Sequence, residues 1–154
     1  GQLDELNSLL GVLKSLPAQP SHKISKNLKG ILHEIQENLF IVQSHVANIM
    51  LDESFKVPEF SNLKVRNTEK IIDEIEQKLP PLKKFIISGN NPISAWLDLI
   101  RAKSRNVERS VLKIKKIDQL DQEIKTYLNR LSSLLFALAR HEARASKESN
   151  PTYK

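Results

Sequence analysis

Apolar residues recur at steps of three and four along most of the chain, which is the spacing of helices that pack on one face. Prolines and turn-forming segments interrupt this pattern and divide the chain into five stretches. We therefore predict an all-α fold, a five-helix antiparallel bundle, because long helices with short connections pack side by side. The predicted helices run from about Gln2 to Ser15, from after Ser21 to about Met50, from about Ser61 to Lys78, from about Pro92 to Lys116 and from about Leu120 to Ser146.

Each predicted helix carries its own apolar stripe, and together the stripes predict a single domain over residues 1–146 with a frayed tail over 147–154. Ser21 is the predicted cap of the second helix, and Asn91 before Pro92 is that of the fourth. The predicted inward residues of the first three helices are Leu3, Leu6, Leu9, Leu10 and Leu13, then Ile24, Leu28, Ile31, Ile35, Leu39, Val42, Val46 and Ile49, then Leu63, Ile71, Ile72 and Ile75.

The composition removes several kinds of chemistry. The 154 residues include no cysteine, which excludes a disulfide scaffold, a thiol nucleophile and a cysteine-ligated zinc site. The four histidines show no metal-binding spacing, and no glycine-rich phosphate loop occurs. No apolar run approaches the roughly 20 residues that span a bilayer. We expect a cytoplasmic protein that binds no membrane.

The formal net charge of +6 favours an anionic partner. A nucleic-acid-binding bundle is one hypothesis, but the lysines are scattered and form no basic stripe. The one dense group, Lys113, Lys115 and Lys116, lies near a predicted helix end, where positive charge is favourable without any ligand. We therefore expect no nucleic acid among the partners.

The fourth predicted helix combines an apolar stripe with Arg101, Arg105 and Glu108 on nearly one face, and Arg109 follows directly. Two arginines four residues apart repel each other slightly. Such a pair is useful where both guanidinium groups meet carboxylates or phosphates, which they bind with two parallel hydrogen bonds. From spacing alone, a solvated face without a ligand is equally compatible with the pattern. The apolar stripe comprises Trp96, Leu97, Ile100, Val107 and Val111.

The fifth predicted helix places polar residues beside its leucines. Small polar residues in an apolar helix favour close helix approach or an inward hydrogen bond, and core packing with satisfied hydroxyls is the simpler interpretation. The polar residues are Asn129, Ser132, Ser133 and Arg140, and the stripe comprises Leu128, Leu131, Leu135 and Leu138.

Five segments, in order along the chain, resemble motifs of the PduO-type ATP:cob(I)alamin (corrinoid) adenosyltransferase family. Each motif is moderately specific, and five in the family's order are strongly so. Residues 1–8 resemble its "GxxDELNS" element, 35–41 its "IQ…LFxI" stretch, 79–89 its "LPPLKxFILPGG" loop, 101–109 its "RxxxRRAER" helix and 127–140 its "YLNRLSDYLFxLAR" helix.

The resemblance implies a homotrimeric five-helix bundle with active sites at subunit interfaces. It implies transfer of the 5′-deoxyadenosyl group of ATP to cob(I)alamin, with triphosphate as the leaving group and Mg²⁺ as a cofactor. Because cob(I) is itself the nucleophile, no nucleophilic side chain is needed, and a reductase that supplies it is a possible partner.

The resemblance also implies roles for particular residues. Arg105 is expected to hold the triphosphate, Glu108 to lie near ATP or its Mg²⁺, and Asn129 to bond the nucleotide. Arg101 is expected to pair with Asp4 of a neighbouring subunit. Phe85 is expected to lie beneath the corrin in the space of the lower axial ligand, and so to act with Arg105 in catalysis.

The sequence departs from the family pattern at three places, where Asn106, Ser133 and Ser88 replace an arginine, an aspartate and a proline. The family's glycine- and threonine-rich ATP-binding segment is expected to lie ahead of Gly1. A second hypothesis is therefore a catalytically silent corrinoid- or nucleotide-binding paralogue on the same bundle.

Overall fold

The computed structural model describes residues 1–18, 23–51, 56–144 and 151–152. Within those residues the regular structure is entirely helical, as the apolar periodicity predicts. The α-helices are α1 (Gln2–Ser15), α2 (Lys26–Leu51), α3 (Asn62–Glu76), α4 (Pro92–Val111) and α5 (Gln122–Ala143), with a short 3₁₀ helix at Ile117–Gln119.

Helices α1 and α4 run in opposite directions, which side-chain bonds at two heights demonstrate. Ser110 of α4 donates to Gln2 near the start of α1, while Lys103 lower on α4 bonds Glu5 one turn further along α1. The most extensive packing is between α4 and α5, so this pair forms the centre of the bundle. The predicted antiparallel bundle is confirmed.

The core is a continuous layer of leucine, isoleucine and valine contributed by all five helices. The predicted stripes of α1, α2, α4 and α5 face this core, with Trp96 and a few leucines and isoleucines at its margin. In α3 the inward face consists of Val65, Thr68, Ile72 and Ile75. The prediction that Leu63 lies inward is wrong: it is 62% exposed, because the three- and four-residue steps of that face bypass it.

Helix boundaries differ from the predictions at two places. Ser21, the predicted cap of α2, lies outside the described residues, whereas residues 23–25 are not helical and α2 begins at Lys26. There the Ser25 hydroxyl accepts a hydrogen bond from the Leu28 amide at 3.0 Å, so Ser25 is the cap. Likewise, Ser146, the predicted end of α5, and most of the 147–154 tail lie outside the described residues.

Helix α4 ends at Val111, five residues before the predicted end at Lys116. The amides of Lys113 and Ile114 bond carbonyls three residues back, so the chain tightens here, and Lys116 turns it with a φ of 61°. The apolar residues of this stretch, Val111, Ile114, Ile117 and Leu120, are spaced by three, which suits the tighter path and explains the early end.

The start of α4 is fixed by a reciprocal cap, as the Asn91-Pro92 pair predicts. The Asn91 side chain accepts from the Ser94 amide at 2.9 Å, and the Ser94 hydroxyl accepts from the Asn91 amide at 3.2 Å. The side-chain nitrogen of Asn91, Nδ2, also donates to the Glu142 carbonyl of α5 at 2.9 Å. One buried side chain therefore sets both where α4 begins and how it docks on α5.

Tyr127 is the largest fully buried side chain, and its ring packs edge-on against Phe60 with centroids 5.1 Å apart. Its hydroxyl has no hydrogen-bond partner within the described residues. Burial raises the pKa of the Tyr127 phenol far above its ordinary value, and the neighbouring Asn38 side chain opposes this only in part. The hydroxyl is consequently locked in its neutral form in the folded protein.

Asn91→Ala removes the cap and the bond to Glu142 together, and we expect it to lower the free energy of unfolding by about 1–3 kcal/mol. Urea unfolding followed by circular dichroism measures this loss. Ser61→Ala is the matched control, because Ser61 precedes α3 without a side-chain capping bond to the described helix. An equal loss in both variants would contradict the capping role.

Tyr127→Phe is expected to change the free energy of unfolding at pH 7 by less than about 1 kcal/mol, because the deleted hydroxyl is unpaired. Above pH ~10 the phenol ionises in the unfolded chain but stays neutral when buried, so the wild type loses stability as pH rises. The variant lacks this contribution, so its free energy of unfolding should decline less than that of the wild type between about pH 9 and about pH 11. This range brackets the ordinary pKa of a solvent-exposed tyrosine. Parallel declines in the two proteins would refute this account.

Candidate active site

Helices α4 and α5 bring Glu108 and Asn129 together at the surface of the bundle. The Asn129 side-chain amide donates to Oε1 of Glu108 at 2.8 Å, which ties the two central helices at this height. The Ser132 hydroxyl bonds the Asn129 carbonyl at 3.0 Å, so this inward hydroxyl is satisfied, as predicted. Two of the residues predicted to bind ATP are therefore direct neighbours.

Arg105 lies one turn before Glu108 on α4, and its side chain is exposed. Within the described part of the chain, no ion pair or side-chain hydrogen bond engages its guanidinium. Glu108 bonds Asn129 instead, and Arg109 bonds Asn106. An exposed, uncompensated guanidinium beside a polar Glu–Asn pair is a suitable partner for an anionic group.

Asn106, which replaces the second arginine of the family motif, accepts a hydrogen bond from Arg109. The side chain of residue 106 is thus turned along α4 towards the next turn. With asparagine at this position and Arg109 bonded to it, Arg105 is the cation one turn before Glu108 that makes no side-chain bond among the described residues.

Arg101 lies one turn before Arg105 and faces α5. Its Nε is 4.0 Å from Oδ1 of Asp98, the outer limit of an ion pair, and its guanidinium carbon is 6.0 Å from the centre of the Phe136 ring. Its Nε is buried without a hydrogen-bond partner among the described residues. Asp4, its predicted partner from another subunit, is exposed on α1. The pairing between subunits stays a prediction.

Phe85 lies on the connection between α3 and α4, residues 80–91, which we call the Phe85 loop. Its ring is 76% exposed, and Leu82 and Ile87 on the same loop are about half exposed, at 50% and 47%. The first half of the loop and Arg140 of α5 together line a pocket of about 410 Å³. An apolar loop held out from the bundle in this way can contact a large flat ligand.

The Phe85 loop and the Glu108–Asn129 pair lie at different heights. Ile86 of the loop lines a small cavity with Asp98 of α4 and Phe136 of α5. Asp98 precedes Arg105 by seven residues and Glu108 by ten, and Phe136 follows Asn129 by seven. The separation along the helix axes is therefore about 10 Å for Arg105 and Asn129 and about 15 Å for Glu108. The two groups are not in contact within one chain, and bound ligands would have to bridge them.

A metal ion finds no complete set of ligands among the residues that the structure describes. No group of three or more histidine, aspartate or glutamate side chains is arranged for a metal within the described residues. Glu108 is the one carboxylate beside Asn129, and it already accepts a hydrogen bond. This donor set suits a magnesium ion only where phosphate oxygens and water supply the other ligands.

A groove of about 670 Å³ lies elsewhere, between the start of α2, the end of α3 and the end of α5. Lysine, glutamate and histidine side chains of both signs line it, and it contains none of the predicted site residues. Its size alone does not make it the site, because no set of polar groups converges on one point there.

Sequence reasoning missed the residues that hold the predicted site in place. Lys103 and Ser110 of α4 bond Glu5 and Gln2 of α1, which fixes α4 from the side opposite to α5. Arg140 and Asn91 attach the Phe85 loop to α5. Pairs so distant in sequence give no periodic signal, although Asn91 was recognisable as a cap.

Comparison with known proteins identifies the family of the chain. Residues 1–142 match the family described as cobalamin adenosyltransferase. The chain is 35% identical over 141 residues to a corrinoid adenosyltransferase of Bacillus subtilis, covering 91% of this chain and 70% of that protein. It is 31% identical to the mouse corrinoid adenosyltransferase MMAB over 157 residues, covering 100% of this chain and 65% of that one.

Solved structures give the same result for the fold. A variant of the PduO-type ATP:corrinoid adenosyltransferase of Lactobacillus reuteri, complexed with cobalamin and ATP, superposes with a TM-score of 0.81. The two are 29% identical, over 99% of this chain and 83% of that chain. The helical bundle and these matches thus define a protein of the corrinoid adenosyltransferase type. The chain belongs to the cobalamin adenosyltransferase family.

Proposed function

We propose that this chain transfers the 5′-deoxyadenosyl group of ATP to the cobalt of cob(I)alamin. The cobalt electron pair forms the Co–C5′ bond, the C5′–O bond breaks, and triphosphate departs with its electrons. The observation that carries the proposal is the exposed Arg105 beside the Glu108–Asn129 pair, on a chain of this family. This reaction needs no side-chain nucleophile, so the protein contributes position and charge.

Arg105 is proposed to hold the triphosphate. Its guanidinium is exposed and unpaired within the described residues, so it can bind phosphate oxygens without first breaking an ion pair. As the leaving group gains charge in the transition state, this contact strengthens and lowers the barrier. Asn129, already fixed by Glu108 at 2.8 Å, is proposed to orient the nucleotide.

Mg²⁺ is proposed to accompany ATP, chiefly on its phosphates, with Glu108 as the contributing carboxylate. A bound magnesium ion would neutralise part of the triphosphate charge. Glu108 then serves the metal and Asn129 together, which is a usual arrangement for a carboxylate at such a site.

Phe85 is proposed to lie beneath the corrin and to occupy the space of the lower axial ligand. An exposed aromatic ring on an apolar loop favours contact with the flat macrocycle and excludes water and ligand from that face of the cobalt. A cobalt without a lower ligand is more easily reduced to the nucleophilic state.

The assembly is proposed to be a homotrimer in which Arg101 of one subunit pairs with Asp4 of the next. Asp4 is exposed at the start of α1, and the Arg101 Nε lacks a hydrogen bond within the described residues. The separation of about 10 Å between Arg105 and the Phe85 loop also favours a site completed by a second chain.

The proposal also includes a single domain over residues 1–146 and a cytoplasmic location. A reductase is proposed to supply the cob(I)alamin. None of the described helices is apolar over enough length to cross a membrane. The chain covers 65–70% of the Bacillus and mouse relatives named above, so the activity is proposed for the whole protein to which it belongs.

A catalytically silent corrinoid- or nucleotide-binding paralogue is the second candidate, and Asn106 favours it. This residue replaces an arginine of the family motif and engages Arg109 rather than leaving it for a ligand. Mixing reduced cobalamin, ATP and protein separates the two. The absorption spectrum of adenosylcobalamin supports the enzyme, whereas binding of both ligands without conversion supports the silent protein.

Arg105→Ala is expected to raise the Kd for ATP about 10- to 100-fold, because charged hydrogen bonds of this kind contribute about 1.5–3 kcal/mol. Isothermal titration calorimetry measures it, and the melting temperature should not change, since the side chain is exposed. Arg66→Ala, at an exposed position of α3, is the control. Unchanged ATP affinity in Arg105→Ala would refute the assigned role.

Phe85→Ala is expected to leave ATP affinity unchanged and to slow adenosyl transfer about tenfold or more, because the lower face of the corrin loses its cover. Steady-state formation of adenosylcobalamin measures the rate. Phe40→Ala is the matched control, since that ring is 60% exposed on α2. Equal rates for wild type and Phe85→Ala would remove Phe85 from the mechanism.

A further inference from the structure

The last turn of α5 holds the Phe85 loop at both ends. At the loop's start, Arg140 donates through Nη2 to the Pro80 carbonyl at 2.7 Å. One turn later Arg144 donates to the Lys78 carbonyl at 2.6 Å. At the loop's far end, Asn91 donates to the Glu142 carbonyl at 2.9 Å. Three hydrogen bonds to residues 140–144 therefore fix where the loop leaves α3 and where it enters α4.

Arg140 differs from the other two anchors because it lies under the loop rather than at its edge. It lines the 410 Å³ pocket together with Pro80, Leu82 and Ile86. It also lines a cavity of about 30 Å³ on the other side, with Ile86, Asn90 and Phe136. The Arg140 side chain thus lies beside loop residues that both precede and follow Phe85.

The loop has few other means of keeping its shape. Residues 80–90 form no helix or strand within the described chain, and Pro80 and Pro81 have no amide hydrogens to donate. Regular backbone hydrogen bonding therefore does not fix the loop, and side-chain donors such as Arg140 help to set its position. The Nε of Arg140 is buried without a partner among the described residues, so this nitrogen is shielded from water while Nη2 bonds the Pro80 carbonyl.

We propose that Arg140 is a positioning residue for adenosyl transfer, which holds the Phe85 loop at the height where its aromatic ring covers the lower face of the corrin. The proposal rests on the proposed function above and deepens it. Arg140 touches neither substrate; it acts through the Pro80 carbonyl and the loop backbone. Loss of this support changes where Phe85 lies but leaves Arg105, Glu108 and Asn129, about 10–15 Å away along the helices, in place.

The test compares Arg140→Met with wild type in the full-length protein. Methionine keeps an apolar stem of similar length and removes every donor. Arg66→Met, at an exposed position of α3, controls for loss of an arginine charge. Three readouts are measured: the Kd for ATP, the kcat of adenosyl transfer, and the fraction of cob(II)alamin that becomes four-coordinate, seen by magnetic circular dichroism with ATP present.

We expect Arg140→Met to bind ATP like wild type, to show a clearly smaller four-coordinate fraction, and to transfer adenosyl about tenfold more slowly, as a misplaced group causes. Arg66→Met should match wild type in all three. An unchanged four-coordinate fraction in Arg140→Met would overturn the proposal, and so would a loss of ATP affinity in proportion to kcat, which indicates general destabilisation.

Failure of the proposed function can be distinguished from failure of the Arg140 proposal, because the wild-type protein would then convert no cob(I)alamin to adenosylcobalamin. The anchoring is checked independently by amide hydrogen exchange of residues 82–90. Exchange there should accelerate in Arg140→Met while the amides of α4 near Arg105 keep their wild-type rates. Equal exchange of the loop in both proteins would overturn the role of Arg140 whatever the reaction.

Discussion

Packing of α4 against α5 is the constraint on which the rest of this molecule depends. Buried leucine, isoleucine and valine side chains along both helices exclude water from the seam. Their polar neighbours, including Glu108 and Asn129, can therefore meet only at its edge. The same contact sets the height of the Phe85 loop, since Asn91 at the start of α4 docks on the end of α5. Core packing therefore determines where the residues of the proposed site lie relative to one another.

Charge placement on this scaffold follows a simple division. On the α1 side of α4, Lys103 is neutralised by Glu5, and this pair serves docking. On the α5 side, Arg105 is exposed without compensation within the described residues, next to an Asn–Glu hydrogen bond that keeps the nearest carboxylate occupied. A cation left without a partner while its neighbours are paired is the pattern of a residue kept for an anionic ligand. Asn106 modifies this pattern by withdrawing Arg109 into a contact along the helix.

The helices were predictable from sequence because periodic burial is a local property, and the cap of α4 was predictable because Asn-Pro has its own geometry. Leu63 and the end of α4 were not: a single leucine does not report which of two faces is buried, and the tightening after Val111 depends on docking of Ile114 and Ile117 against the core. The pairing of Glu108 with Asn129 and the support of Pro80 by Arg140 depend on tertiary placement, which no single-chain periodicity encodes. The Asp4–Arg101 pair between subunits stays a prediction.

The anchors of the Phe85 loop all fall within the last turn of α5, between Arg140 and Arg144. Helix ends fray before helix centres, since their carbonyls lack partners and fewer side chains pack over them. Fraying of this turn would release the loop while the leucine core from Leu128 to Leu138 stayed folded. Activity should then be lost at a lower temperature than that of global unfolding. Truncation of the chain after Ala139 should yield a folded bundle in which the position of Phe85 is no longer fixed.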